Sequence, residues 1–296
     1  MSKVLITTVP FGDVDRYPLE ALEKEKISYL INPLGKKLTE SELIKLVSDC
    51  EVIIAGTEPI TERVISKAKN LKMISRVGIG LDSVDLIAAE KRNIAVSYTP
   101  DAPAPAVVDL TMGLFYTLLR RVHEANIGLH HGKWNRFFGR RLTECSIGII
   151  GAGRIGSNVL RNLLVLGCKN IFYYDKKVRL DEEDNQHVLF AQKETIYKKC
   201  DIISLHLPLD QETSNMITLK EIKLMKKESF LINTARGGII NEKDLFEALQ
   251  NKIISGAAID VFEDEPYQGD LIGLDNCILT SHMGSMSKDC RTQMEI

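Results

Sequence analysis

No stretch of this chain stays apolar long enough to cross a bilayer, and none of its six cysteines pairs with another as C-x-x-C. The first absence excludes a membrane-spanning helix. The second, with Cys50, Cys145, Cys168, Cys200, Cys277 and Cys290 scattered in or beside apolar runs, points to buried, reduced thiols in a cytoplasm. Positive charge is not in excess either: 38 Lys and Arg stand against 40 Asp and Glu, for a net charge of −2. No basic field therefore exists to hold nucleic acid or an anionic lipid surface. The apolar opening at residues 4–6 is too short for a signal peptide and reads as a first strand. His130 and His131 are adjacent, so on a helix their side chains diverge, and no third ligand is spaced to join them in a metal site. Internal repeats and low-complexity segments are also missing.

What is present is a regular alternation of strand-like and helix-like runs, the pattern of parallel sheets with crossover helices. Strands are expected over residues 4–8, 27–31, 51–55, 72–75 and 94–98, with helices between them. Such βα units suit one small doubly wound domain. Pro100, Pro103 and Pro105 then mark a rigid connector. A long apolar-periodic helix is expected over 106–128. A second αβ series begins at Ser146, with strands near Ile171, Ile202, Phe230, Ala257 and Ile278.

The first turn of that second series carries the most information. Gly151-Ala152-Gly153-Arg154-Ile155-Gly156 follows the apolar run 146–150, opens a helical pattern and is answered by Asp175 at the end of the next strand. A dinucleotide needs that order. Gly151 permits the tight turn, Gly153 lets the backbone approach a pyrophosphate, and Gly156 lets helix and strand pack closely. The helix N-terminus, at Arg154 and Ile155, offers N–H groups and partial positive charge to the phosphates. Asp175 can accept hydrogen bonds from the ribose hydroxyls of NAD and repel the extra phosphate of NADP, although Lys176 and Lys177 follow it and could soften that exclusion.

In open parallel sheets, ligands bind beyond the carboxyl ends of the strands. Three polar residues occupy such ends here: Arg236 in Thr234-Ala235-Arg236-Gly237, Glu265 after the run 257–261, and His282 after 277–280. A guanidinium can grip a carboxylate in a two-pronged bond, and an imidazole can exchange a proton with a carbonyl or hydroxyl oxygen near neutral pH. A carboxylate beside the imidazole favours its charged form. Together these suit hydride exchange between a nicotinamide and a 2-oxo or 2-hydroxy acid.

These segments resemble the D-isomer-specific 2-hydroxyacid dehydrogenases. The resemblance rests on residues 148–156, His206-Leu207-Pro208-Leu209, Asn233-Thr234-Ala235-Arg236-Gly237, Asp260-Val261-Phe262 with Glu265-Pro266, and Thr280-Ser281-His282. It implies that Arg236 binds substrate and that Glu265 couples to His282 as acid–base. It also implies that Thr234, Ala235 and Asp260 serve the cofactor, Asp260 at the nicotinamide amide. The 206–213 loop, with His206, Pro208 and Thr213, falls beside the adenosine half. The first half resembles the family's substrate domain, where Arg76-Val77-Gly78-Ile79 corresponds to a loop whose amides meet the substrate carboxylate.

The fold expected is therefore α/β: a flavodoxin-like substrate domain over 1–99, with the tail 283–296 returning toward it, and a Rossmann NAD-binding domain over 100–282. Two local departures from the family pattern are Val107-Val108-Asp109 for the usual Val-Ala-Glu, and Gly284 for a small residue such as Ala. The larger departure is the tail, where only fourteen residues follow His282 and no helix stop signal closes them, which suggests weaker inter-domain restraint. Trp134, Phe137 and Phe138, interleaved with Arg136, Arg140 and Arg141, belong by resemblance to the arm through which family members form homodimers. The charged run 176–184 reads as a solvated loop face. The 2-hydroxy acid stays open. 3-Phosphoglycerate leads, with Arg76 as a possible phosphate partner. Against it, the loop 55–59 lacks the arginine that some phosphoglycerate enzymes place there, and Glu58 would oppose a phosphate if it faced the cleft. Glycerate, lactate and bulkier sugar-derived acids are the other candidates. A second reading from another class is an NAD(H)-sensing binding protein of the corepressor type, which would not need the complete Arg236, Glu265 and His282 set.

Overall fold

A computed structural model describes residues 4–177 and 186–296, and the chain divides into two compact units. One comprises Met1–Ala104 with Ser285–Ile296, the other Pro105–Gly284. The boundary falls beyond the expected residue 99 because the proline segment winds into the following helix, where the Ala104 N–H bonds the Asp101 carbonyl. Part of the charged run at 176–184 lies outside the described residues.

Among its described residues, the first unit holds a five-stranded parallel sheet of β1 (Val4–Ile6), β2 (Tyr29–Ile31), β3 (Val52–Ala55), β4 (Met73–Arg76) and β5 (Ala95–Tyr98), in the order β2-β1-β3-β4-β5. That is the flavodoxin-like order. Leu5, Ile53 and Ile74 come from the three central strands and form one core with Leu43 and Ile65 of the crossover helices. These helices are α1 (Tyr17–Lys24), α2 (Glu40–Leu46), α3 (Glu62–Lys67) and α4 (Leu86–Lys91); Thr39, Thr61 and Asp85 start the last three, each side chain accepting a backbone N–H that would otherwise be orphaned.

The tail, which carries no stop signal in its sequence, forms the helix Lys288–Glu295 and packs into this unit. Ser287 caps it. Arg291 and Glu295 lie one turn apart on its buried face and bond each other; Arg291 also donates to the Pro10 carbonyl, and Glu295 accepts the Gly12 N–H at 2.8 Å. The pair ties the helix to the loop after β1. Glu295→Ala would leave a guanidinium buried without its carboxylate, at a cost of about 3–5 kcal/mol. Chemical denaturation should read this as a marked fall in midpoint, with Glu295→Gln costing less because it still accepts from Gly12.

The helix α5 (Ala104–Leu119) belongs to the second unit from Pro105 onward, and α6 (Val122–His130) follows it. A single helix over 106–128 is expected from the apolar period; instead Arg121 turns left-handed (φ 51°) and breaks it. The carbonyl of Leu119 bonds Arg140 N–H at 2.9 Å, and Arg121 lies over the Phe137 ring at 4.6 Å. Returning chain thus replaces helical hydrogen bonds at the break.

Among its described residues, a seven-stranded parallel sheet follows, built from β6 (Ser146–Ile150), β7 (Asn170–Tyr174), β8 (Val188–Phe190), β9 (Ile202–Leu205), β10 (Phe230–Asn233), β11 (Gly256–Ile259) and β12 (Cys277–Leu279). Its order is β12-β11-β10-β9-β6-β7-β8, a Rossmann arrangement with the switch point between β6 and β9. Residues of β6, β9, β10 and β11 are buried on both faces, which explains their predominance of Ile, Leu and Ala. All six cysteines are buried as free thiols. Burial pushes the Cys50 and Cys145 thiols up to about 11 and those of Cys200 and Cys277 up to about 12, so they stay protonated and unreactive. No described helix is long and apolar enough to cross a membrane.

Candidate active site

The glycine turn sits between β6 and α7 (Arg154–Val165), at the carboxyl edge beside the switch point. Gly151 has φ 97°, and a Cβ there would lie 2.2 Å from the His206 carbonyl oxygen. A Cβ on Gly156 would lie 1.9 Å from the Gly151 carbonyl oxygen. Both glycines are therefore required by close backbone approach. Gly153 is different: a Cβ there meets nothing within 4 Å. It faces open space at the N-terminus of α7, where Arg154 is exposed and Ile155 half-buried. A pyrophosphate suits that place.

Asp175 ends the next strand and is oriented by the turn itself. Its carboxylate accepts the Ala152 N–H at 2.7 Å and the Lys177 N–H at 2.8 Å. Across the switch point, His206 follows β9, with Nε2 2.9 Å from Ser204 Oγ. Its Nδ1 is buried and lacks a hydrogen-bond partner among the described residues, an atom that suits a ligand or an ordered water. Burial pushes the ring pKa down to about 3, so His206 is neutral. Pro208 is exposed on the same loop. Thr213 turns inward instead: its hydroxyl donates to the Pro208 carbonyl at 2.6 Å and accepts the Asp210 N–H at 2.8 Å. It shapes the loop rather than presenting its hydroxyl outward. With the open face at Gly153 and the oriented acid at Asp175, these residues fit a dinucleotide.

The strands β10, β11 and β12 are consecutive in the sheet, so their parallel carboxyl ends share one edge. After β10, the Asn233 side chain accepts the Ala235 N–H at 3.1 Å and donates to the Arg236 carbonyl at 2.8 Å, which folds the turn carrying Arg236. Thr234 is buried with its hydroxyl 2.9 Å from that of Thr111 on α5. A Cβ on Gly237 would fall 1.9 Å from the Phe262 carbonyl oxygen. That contact presses the Arg236 turn against the loop leading to Glu265.

His282 and Glu265 meet directly. Imidazole Nδ1 lies 2.9 and 2.8 Å from the two carboxylate oxygens, one of which also accepts the Phe262 N–H. His282 takes a left-handed backbone (φ 52°), an uncommon conformation for a residue with a side chain. Asp260 holds that conformation. Almost fully buried, it accepts the Thr280 hydroxyl at 2.6 Å, the Met283 N–H at 2.9 Å and the Gly284 N–H at 2.9 Å. The resemblance puts Asp260 at the nicotinamide amide; both its oxygens are engaged in building the His282 turn. Gly284 has little room for a larger residue, since a Cβ would stand 3.2 Å from Asp260 Oδ2 and from Val107. Nearby, Glu242 accepts the Glu263 N–H, and its carboxyl is pushed up by burial, with Glu263, Asp264 and Glu265 adding to the effect. Negative charge thus accumulates on the side of Glu265.

Arg76, Val77, Gly78 and Ile79 lie at the carboxyl end of β4 in the first unit. The expectation that consecutive amides converge on an anion needs adjusting. Val77 N–H is bonded to the Ala55 carbonyl and Gly78 N–H to Thr99 Oγ1, because the chain continues the sheet before it turns. Those two amides are committed, and Ile79 N–H is the first along the loop with no bond among the described residues. Gly78 (φ 135°) leaves the space that the Arg76 guanidinium fills, and Arg76 is buried with a bond to the Val77 carbonyl. Glu58 is also buried, accepting the Thr7 hydroxyl and the Gly56 N–H. Thr111 positions the site without having been singled out, while Asn233 and Thr280 stand in the resembling segments with no role assigned to them. Asn233, a polar residue ending a buried strand, is visible in the sequence for that reason as well. The described residues contain no group of His, Cys, Asp and Glu that could hold a metal.

Comparison with known proteins gives the same direction. Residues 112–284 match the model of the D-isomer-specific 2-hydroxyacid dehydrogenase NAD-binding domain. A D-3-phosphoglycerate dehydrogenase of Methanocaldococcus jannaschii is 39% identical over 98% of this chain, which spans 55% of that protein's length. A hydroxypyruvate reductase of Thermotoga maritima is 34% identical over 94% of this chain and 93% of its own length. Among solved structures, a D-lactate dehydrogenase from Aquifex aeolicus, complexed with NAD and lactic acid, superposes with a TM-score of 0.87 at 29% identity, covering 99% of this chain and 92% of that one. With its glycine turn, oriented acid and His–Glu pair at the strand ends of a Rossmann sheet, this chain belongs to the D-isomer-specific 2-hydroxyacid dehydrogenase family, and its second unit carries the family's NAD-binding domain.

Proposed function

We propose that the protein interconverts a D-2-hydroxy acid and its 2-oxo acid, with His282 as acid–base, Glu265 as its partner and Arg236 orienting the substrate carboxylate. The observation that carries this reading is the His282–Glu265 contact at 2.8 Å. With Nδ1 held by a carboxylate, Nε2 is the ring atom left to exchange a proton with the substrate oxygen. NAD, when bound, supplies or accepts the hydride. Arg236 pairs with the substrate carboxylate and sets the reacting carbon in line. In the reducing direction His282 Nε2–H gives its proton to the carbonyl oxygen, and Glu265 stabilises the ring through the cycle. In the oxidising direction the same atom removes the hydroxyl proton.

3-Phosphoglycerate heads the substrate class, supported by the identity to the phosphoglycerate enzyme. Glyoxylate and hydroxypyruvate are next, supported by relatives named for them. Burial of Glu58 among Thr7 and Gly56 removes one objection to a phosphate. We also propose a homodimer through the arm after α5, where Val122, Leu129, Trp134 and Phe138 are all exposed. A cytoplasmic setting is supported by six buried free thiols. The test is NADH oxidation with 3-phosphohydroxypyruvate, hydroxypyruvate, glyoxylate and pyruvate. Turnover of at least one is expected. Tight NADH binding with turnover of none would favour an NAD(H)-sensing protein instead.

A further inference from the structure

Asp175 alone does not account for the charge around the ribose end of the dinucleotide site. Lys176 and Lys177 follow it directly. Lys193, the first residue of α8 (Lys193–Lys199), lies 5.7 Å from the centre of the Tyr174 ring. Burial pushes the Lys193 ammonium down, and the positive charge of Lys176 adds to that, so these cations share one neighbourhood. Lys176, Lys177 and Lys193 thus bring positive charge to the end of β7, a place that would welcome a 2′-phosphate. A second acid changes the balance. Glu212 reaches Lys176 from the loop after β9 and pairs with its ammonium. The loop holds Glu212 in place, since its own N–H and that of Thr213 both bond the Asp210 carboxylate, at 2.8 and 2.9 Å.

We infer that Glu212 is a specificity-determining residue: by engaging Lys176 it cancels the cation next to Asp175, and so maintains the preference for NAD over a cofactor bearing a 2′-phosphate. The inference rests on reading the second unit as an NAD-binding domain. It assigns selectivity to an acid outside the glycine turn and outside the strand that carries Asp175. Because both side chains of the pair are exposed, the effect is moderate and screened by salt.

The test is direct binding of NADH, 5′-AMP and 2′,5′-ADP to the full chain by calorimetry, for the wild type, Glu212→Gln, and Glu212→Gln combined with Lys176→Gln. Glu212→Gln should tighten 2′,5′-ADP about three- to fivefold, while NADH and 5′-AMP stay within about twofold. Adding Lys176→Gln should remove most of the gain, and raising the salt should shrink it. Unchanged 2′,5′-ADP affinity in Glu212→Gln would overturn the inference, as would an equal gain for 5′-AMP, which lacks the 2′-phosphate. A wild-type protein that binds neither NADH nor 5′-AMP would instead defeat the cofactor reading beneath it.

Discussion

Replacing His282 with alanine should lower kcat by about 10²- to 10⁴-fold while leaving NADH affinity within about twofold, the loss expected when a positioned acid–base group is removed. The imidazole is bound by Glu265 at Nδ1 and carried on a left-handed turn built by Asp260. Its removal should therefore cost chemistry rather than cofactor binding. Glu265→Gln keeps a hydrogen-bonding group at the same place but removes the charge opposite the ring. It should fall between wild type and His282→Ala in kcat, and change the pH profile of kcat/KM rather than the affinity for NADH. Steady-state kinetics with NADH fluorescence titration separates these outcomes. A His282→Ala protein with near-normal kcat would assign the proton to another group.

Replacing Arg236 with glutamine should lower kcat/KM by about 10²-fold or more, because removing a charged partner of a carboxylate costs about 3 kcal/mol. Much of that loss should appear as a raised KM. Arg236→Lys should recover only part of it, since an ammonium cannot reproduce a two-pronged bond to a carboxylate. The turn itself should persist in both variants, because Asn233 folds it through the backbone of Ala235 and Arg236. Circular dichroism and NADH affinity close to wild type would show that the scaffold is intact. Equal loss of KM performance toward a substrate analogue lacking the carboxylate would argue against the assigned role.

Much of this site is legible before any coordinates, for an identifiable reason. Buried parallel strands leave unbroken apolar runs, and where a run ends in a polar residue the chain has reached the functional edge; Arg236, Glu265 and His282 are visible in that way. Gly151 and Gly156 are equally visible because backbone contact forbids any side chain there. What sequence cannot display is a polar group satisfied by something distant along the chain. Asp260 has the type expected of a ligand contact, yet its oxygens are engaged by Thr280, Met283 and Gly284 from the segment after β12. Glu58 looks like an obstacle to phosphate until Thr7 is seen to hold it. The break at Arg121 is hidden for the same reason, since the residue that completes the Leu119 carbonyl arrives from beyond α6.

The central claim is that one hydride passes between the nicotinamide and the carbon bearing the substrate hydroxyl. It is tested most directly by running the reduction with NADH carrying deuterium at the transferred C4 position and analysing the product acid. The expected product carries one deuterium at C2, in the D configuration, with the label absent from recovered 2-oxo acid. Product formed without the label at C2, or carrying it in the L configuration, would contradict it.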